Sequence, residues 1–169
     1  PAPPVSALAA ATTLSVHMSS LYSSSYPASN AIDGDPSTMA ATNNADSSDQ
    51  WISVQLQENS AIGYVAVYNR PDAITQYLQW LSPYEIWLGS SPGDTSFLCG
   101  DELSAPTSEG SGPFLTWCGR SDFSYVTLII RSGLGLRWLT IGELIAYLEP
   151  SPRRQLQSSG TPSMDVRVT

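Results

Sequence analysis

Apolar residues in this chain recur in runs too short for long helices, and that pattern constrains the fold more than any other feature. Leu14-Ser15-Val16-His17-Met18 and Trp51-Ile52-Ser53-Val54-Gln55-Leu56 alternate apolar and polar side chains, the period of two expected of a strand with one buried face. Ile62 to Tyr68 is nearly continuously apolar, as a core strand is. Tyr84 to Leu88, Phe114 to Trp117, Tyr125 to Ile130 and Leu139 to Leu148 follow, with Gly, Pro, Asn, Asp or Ser in the gaps. No long amphipathic helix pattern and no internal repeat is visible. Short strands at this spacing predict an all-β sandwich or jelly roll. The alternation places Trp51, Trp87 and Trp117 in the core and His17 on the surface.

A chain of 169 residues suits one domain with tails. Residues 1–13 are rich in Pro and Ala and read as an extended linker. Residues 14–149 carry the periodic signal. Residues 150–169 return to Pro, Ser, Arg and Gln and read as a tail, and both ends could meet protein neighbours. The net charge is −8, from seven Arg and no Lys against fifteen acids. Nucleic-acid binding needs clustered cations to displace counterions, and anionic membranes attract polybasic patches; neither partner is expected. No apolar run approaches the ~20 residues of a membrane span.

Several residue groups carry chemistry. Ala28 to Thr42 holds a tight turn, Asn30-Ala31-Ile32-Asp33-Gly34-Asp35. Glu143 lies inside the apolar run Thr140 to Tyr147. An acid in such a run rarely sits buried without a partner. Calcium would provide one, because it takes about six to eight oxygens from carboxylates, hydroxyls and carbonyls; an ordinary Asp-Gly turn and a salt-bridged Glu143 are the plainer alternative. Cys99 and Cys118, the only two cysteines, bracket a polar Gly/Ser/Pro segment. They are either two buried thiols or one disulfide stabilising that segment by roughly 3 kcal/mol. Asn69-Arg70-Pro71-Asp72 follows a strand directly. It is either an Arg–Asp pair that ties down a loop, or a planar donor held by a carboxylate and aimed at vicinal hydroxyls. Tyr77 and Trp80 are in loop sequence nearby and offer apolar faces on which sugars stack.

These segments, in this order, resemble the discoidin or coagulation-factor C-type domain, and most closely the fucose-binding F-type lectins. The resemblance spans roughly residues 14–148. It implies an eight-stranded antiparallel jelly-roll β-sandwich of the galactose-binding-like kind. It also implies a calcium ion held by carbonyls of Asn30, Asp35 and Gly142, a side-chain oxygen of Asp33, the carbonyl and hydroxyl of Thr42, and the carboxylate of Glu143. A Cys pair brackets a hairpin in those lectins at this region, so the resemblance implies a Cys99–Cys118 disulfide and with it an oxidising, extracellular setting. Arg70 and Asp72 match the lectins' sugar-binding motif. Tyr77 stands where a second basic residue is usual, and the motif's upstream His is absent. Asn43 and Asn44 lie on the neighbouring loop and would complete the rim.

Catalysis is not expected. The single His excludes a plausible Ser–His–Asp set, no zinc set or phosphate loop is present, and Asp33 and Glu143 serve better as calcium ligands than as a glycosidase pair. The expected function is a calcium-stabilised carbohydrate-binding module of a secreted, cell-surface or adhesion protein, with a glycan as partner. The alternative is a non-catalytic protein-interaction or structural module on the same fold.

Overall fold

A computed structural model describes residues 2–58, 60–72, 74–105 and 110–150. The tail predicted over 150–169 lies, apart from Pro150, outside the described residues. Nine strands form: β1 (Thr13–Met18), β2 (Ala40–Asn44), β3 (Gln50–Leu56), β4 (Ile62–Asn69), β5 (Glu85–Gly89), β6 (Phe97–Leu98), β7 (Phe114–Arg120), β8 (Tyr125–Ile130) and β9 (Trp138–Leu148). One short α-helix among the described residues, α1 (Thr75–Leu78), continues into a 3-10 turn over Gln79–Leu81. The strands make two antiparallel sheets, one in the order β1-β3-β8-β5-β6 and one in the order β2-β9-β4-β7. This is a jelly-roll sandwich with nine strands in place of the expected eight. The seven strands read from periodicity all form; β2 and the two-residue β6 are the additions.

The core lies between the sheets. Ile52, Val54 and Leu56 of β3, Val65 and Val67 of β4, Ile86 and Leu88 of β5, and Leu139 and Ile141 of β9 are all buried there. Burying an aliphatic side chain of this size contributes about 1.5–3 kcal/mol. The alternation that puts these residues inward puts their neighbours outward, and this corrects the expected place of the tryptophans. Trp51 and Trp87 are half-buried on outer faces, and Trp117 is 47% exposed. Trp87 donates from Nε1 to Glu85, its outward neighbour two residues away, at 2.5 Å. Trp117 stacks edge-on against Tyr64 across the β4–β7 pair, ring centroids 4.8 Å apart. His17 is exposed, as expected.

The Pro/Ala segment at the N-terminus is attached to the domain. Ala11 N–H donates to Ala146 O at 2.9 Å and Leu148 N–H to Ala9 O at 2.8 Å, so residues 9–11 lie along the end of β9. Cys99 and Cys118 are bridged, over a sequence separation of 19. A loop of that length gives about 3 kcal/mol in the chain-entropy model. Reduction is therefore expected to lower the unfolding free energy by about that amount, read as a shift of the denaturant midpoint with and without reductant. An unchanged midpoint would show that the loop is held by other contacts.

The register places the chemistry. Met18 pairs with Ile52, Gln50 with Ile130, Asn44 with Trp138, Asn69 with Ile141 and Glu85 with Ile129. The segments 19–39, 45–49, 70–84 and 131–137 therefore emerge at one end of the sandwich. No helix among the described residues is long and apolar enough to cross a membrane.

Candidate functional site

Two arrangements occupy this end. The first is built on the turn that the sequence singled out. Gly34 takes φ +80°, the left-handed conformation that suits glycine, and its N–H donates to Glu143 Oε1 at 2.6 Å. Glu143 is 2% exposed and no cationic side chain pairs with it among the described residues. Burial pushes its carboxyl up to about 7, and the neighbouring Asp33 carboxylate adds to the rise. Asp33 lies lower than usual, because the Asp35 N–H, at 2.8 Å, and the Thr38 hydroxyl bond its charged form. Gly142 sits directly beneath: a Cβ there would lie 2.7 Å from Pro36 O and 3.3 Å from Asn69 O.

Oxygens converge here on one side chain. Thr38 Oγ1 is 2.9 Å from Asp33 Oδ2, 3.0 Å from Asp35 O and 3.3 Å from Asn30 O. A hydroxyl has one proton and cannot satisfy three acceptors fully. Two carboxylates with carbonyls and a hydroxyl make a hard-oxygen donor set that suits calcium. Among the described residues no third His, Cys, Asp or Glu side chain joins them, so neutral oxygens must supply the rest. The Thr42 hydroxyl does not join this cluster. The Thr42 side chain is fully buried and its hydroxyl donates to Asn43 O at 2.8 Å. Thr38, four residues earlier on the return from the turn, is the hydroxyl that meets Asn30, Asp33 and Asp35.

The second arrangement is a cleft of about 290 Å³ lined by Tyr22, Tyr26, Met39, Ala41, Arg70, Tyr77, Trp80, Trp138 and Thr140. Arg70 is 8% exposed. Its Nε donates to Asp72 Oδ1 at 2.8 Å and its Nη2 to Asp72 Oδ2 at 2.6 Å, a bidentate pair. That pairing holds the Asp72 carboxyl below its usual range. The guanidinium carbon lies 4.7 Å from the Tyr77 ring centroid and 5.4 Å from that of Trp80, within cation–π range. Buried Asn69 anchors the loop: its Nδ2 donates to Leu78 O and its Oδ1 accepts from Arg70 N–H. Ser111 fixes the same corner, donating from Oγ to Arg70 O at 2.8 Å.

The rings form two walls. Tyr77 lies 4.5 Å from Trp80, and Trp80 4.7 Å from Trp138, as centroid distances. Tyr22 and Tyr26, 6.1 Å apart, belong to the other group. Of the residues expected to bind ligand, Arg70 and Tyr77 line the cleft, and Asp72 stands behind Arg70. Asn43 and Asn44 are not among the lining residues: Asn43 N–H donates to Ser20 Oγ, and Asn44 Oδ1 accepts from the N–H of Asp46. Tyr22, Tyr26, Met39 and Thr140 were missed. The signal available was the Tyr-Ser-Ser-Ser-Tyr spacing of 22–26, which reads as a polar connector until the loop is seen folded against β2, where Tyr22 N–H donates to Ala41 O and Ala41 N–H to Tyr26 O. Arg131 and Arg137 are occupied elsewhere, Arg131 by Asp49 and Glu85, Arg137 by Pro83 O and Arg131 O.

A galactose-binding-like β-sandwich with its chemistry gathered in the loops at one end is the class that fold and site define. The chain belongs to the F5/8 type C domain family, which its residues 12–133 match. Among solved structures it is similar to an F-lectin (fucolectin) from striped bass (Morone saxatilis) serum, at 25% identity and a TM-score of 0.66, over 80% of this chain and 45% of that one. It thus spans less than half of the striped bass chain. The lectin domain of lectinolysin complexed with Lewis B antigen is 20% identical with a TM-score of 0.62, over 80% of this chain and 93% of that domain. A Streptococcus pneumoniae fucose binding module is 19% identical with a TM-score of 0.64, over 85% and 99%. At those last two identities the likeness concerns the fold. Among curated proteins none matches this chain.

Proposed function

We propose that this protein is a non-catalytic carbohydrate-binding module whose loop-end cleft holds one sugar ring. The observation that carries this reading is the cleft itself, an aromatic-walled space of about 290 Å³ with a locked guanidinium in its lining. Sugar C–H faces pack against aromatic rings, and an Arg fixed by a carboxylate presents its remaining donors to hydroxyls at little further entropic cost. The fucolectin and fucose-binding module with the same fold support a glycan ligand. The Cys99–Cys118 bridge supports an oxidising, extracellular setting, as does the serum origin of the striped bass lectin.

Calcium is part of this proposal. Asn30, Asp33, Asp35, Thr38, Gly142 and Glu143 would hold it, with Thr38 taking the hydroxyl role first expected of Thr42. The ion would supply positive charge to two carboxylates that otherwise face each other, and would tie the early loop to β9.

A glycan array tests the binding reading. The wild type is expected to bind a subset of neutral glycans, competed by the free sugar. Tyr22→Ala should weaken that binding about tenfold or more, since stacking on an aromatic face is worth about 0.5–1.5 kcal/mol beyond its area. Tyr22 is largely exposed, so its loss should move stability by no more than about 0.5 kcal/mol. A wild type that binds nothing on a broad array would give first place to a protein-interaction role.

A further inference from the structure

The exposed large hydrophobic side chains are not scattered. Leu21, Tyr22, Ile74, Leu134 and Leu136 are 42–61% exposed, and all lie on the loops at the cleft end. Only Leu14 and Trp117 of the described residues stand exposed elsewhere. Tyr22 lines the cleft, and Leu21, Ile74 and Leu136 lie within three residues of a lining residue in the chain, with Leu134 on the same loop as Leu136. Leu21 precedes Tyr22. Ile74 opens the turn that carries Tyr77, whose N–H donates to Ile74 O at 2.8 Å. Leu136 stands two residues before Trp138. Loop tips are ordinarily polar, and grouped exposed apolar residues on a soluble protein mark an interaction site.

Charge narrows what this collar meets. Among the described residues the only cationic side chain lining the cleft is Arg70, and Asp72 already neutralises it. Asp35 and Asp46, both exposed, lie on the same end, in a chain of net charge −8. A sulfated or otherwise anionic sugar would meet no free positive charge from the described residues of the cleft, and an anionic surface would be repelled. A neutral ligand is left, polar enough for Arg70 and apolar where it leaves the cleft.

We propose that the collar of Leu21, Ile74, Leu134 and Leu136 is a second subsite, which binds an apolar aglycone attached directly to a neutral sugar held in the aromatic cleft. This rests on the sugar-binding reading above and adds the class of glycoside. The cleft selects the ring and the collar covers the alkyl or aryl group beyond it, removing that group's surface from water.

The test is a calorimetric comparison of methyl, octyl and p-nitrophenyl glycosides of L-fucose, D-galactose and N-acetyl-D-glucosamine. For the sugar that binds, the octyl or p-nitrophenyl glycoside is expected to bind at least tenfold tighter than the methyl glycoside. Leu136→Ser combined with Ile74→Ser should erase that gain and leave the methyl glycoside unchanged, while Leu136→Met should keep it. Equal affinities across the aglycones would overturn the subsite and leave the sugar reading standing. Equal binding of an octyl oligo(ethylene glycol) without sugar, or of sugar-free neutral phosphatidylcholine vesicles, would overturn it by showing a general apolar surface. No binding by any glycoside would overturn both.

Discussion

Protein stripped with chelator and then given calcium is expected to melt about 10 °C higher than the stripped protein. A ligand that binds only the native state at about a hundred times its dissociation constant stabilises it by about 2.7 kcal/mol, and 1 kcal/mol moves the midpoint of a domain of this size by about 4 °C. The gain should be large here because the metal-free turn is poorly satisfied. Glu143 is buried with no cationic partner among the described residues, and three oxygens compete for the single proton of Thr38 Oγ1. Asp33→Ala should abolish the response. Thr38→Val should weaken it strongly, whereas Thr42→Ala should keep it, because Thr38 Oγ1 meets oxygens of Asn30, Asp33 and Asp35 while the Thr42 hydroxyl bonds Asn43 O, away from them. Magnesium at the same concentration should do less, since it demands near-ideal octahedral geometry and gives up its waters reluctantly. A melting temperature unmoved by calcium, or a response lost with Thr42 and not with Thr38, would sink this assignment.

The contrast between Thr38 and Thr42 shows where the sequence stops being legible. Asp33, Gly34 and Glu143 could be picked out because an Asp-Gly turn and an acid in an apolar run are local anomalies. Which of two threonines returns to the turn depends on how residues 35–40 close, and that is set by the Asp35 O to Thr38 N–H bond at 3.0 Å, which no spacing reveals. The strands divide the same way. β3 reads clearly because Ile52, Val54 and Leu56 alternate with Trp51, Ser53 and Gln55. β2, Ala-Ala-Thr-Asn-Asn, has weak strand formers and owes its extended form to pairing with β9, through a register shift between Ala41 and Asn44.

The tryptophans teach a different lesson, because the signal was present. In β3, Trp51 shares its phase with Ser53 and Gln55; in β5, Trp87 shares its phase with Glu85, while Ile86 and Leu88 take the other. The aliphatic phase is the core face, and a tryptophan out of phase with it lies outside. Size and apolarity argue for burial, but a side chain cannot leave the face that its strand assigns to it. The cleft was half legible for a related reason. Arg70, Asp72 and Tyr77 are close in sequence, so one loop delivers them together. Tyr22, Trp138 and Thr140 reach the same space from distant segments: the β2–β9 and β4–β9 registers place Trp138 and Thr140, and the bond from Tyr22 N–H to Ala41 O places Tyr22.

Arg70→Ala is expected to lose glycan binding and also to cost stability, which separates it from Tyr22→Ala. Its guanidinium makes two charge-assisted bonds to Asp72 and lies against Tyr77 and Trp80. Removing it leaves Asp72 without its partner and opens space beneath two rings. Asp72 is itself about a third exposed, with a side-chain accessibility of 35%, so water compensates in part. The expected loss is about 1–3 kcal/mol, smaller than the 3–5 kcal/mol typical of a fully buried pair. Arg70→Lys restores the charge but not the planar fork, so it should recover part of the stability and little of the affinity. The calcium response should survive both substitutions, because Arg70 contributes nothing to the Asp33–Glu143 turn. An Arg70→Ala protein that binds its glycan as the wild type does would place the ligand outside the cleft, whatever its stability.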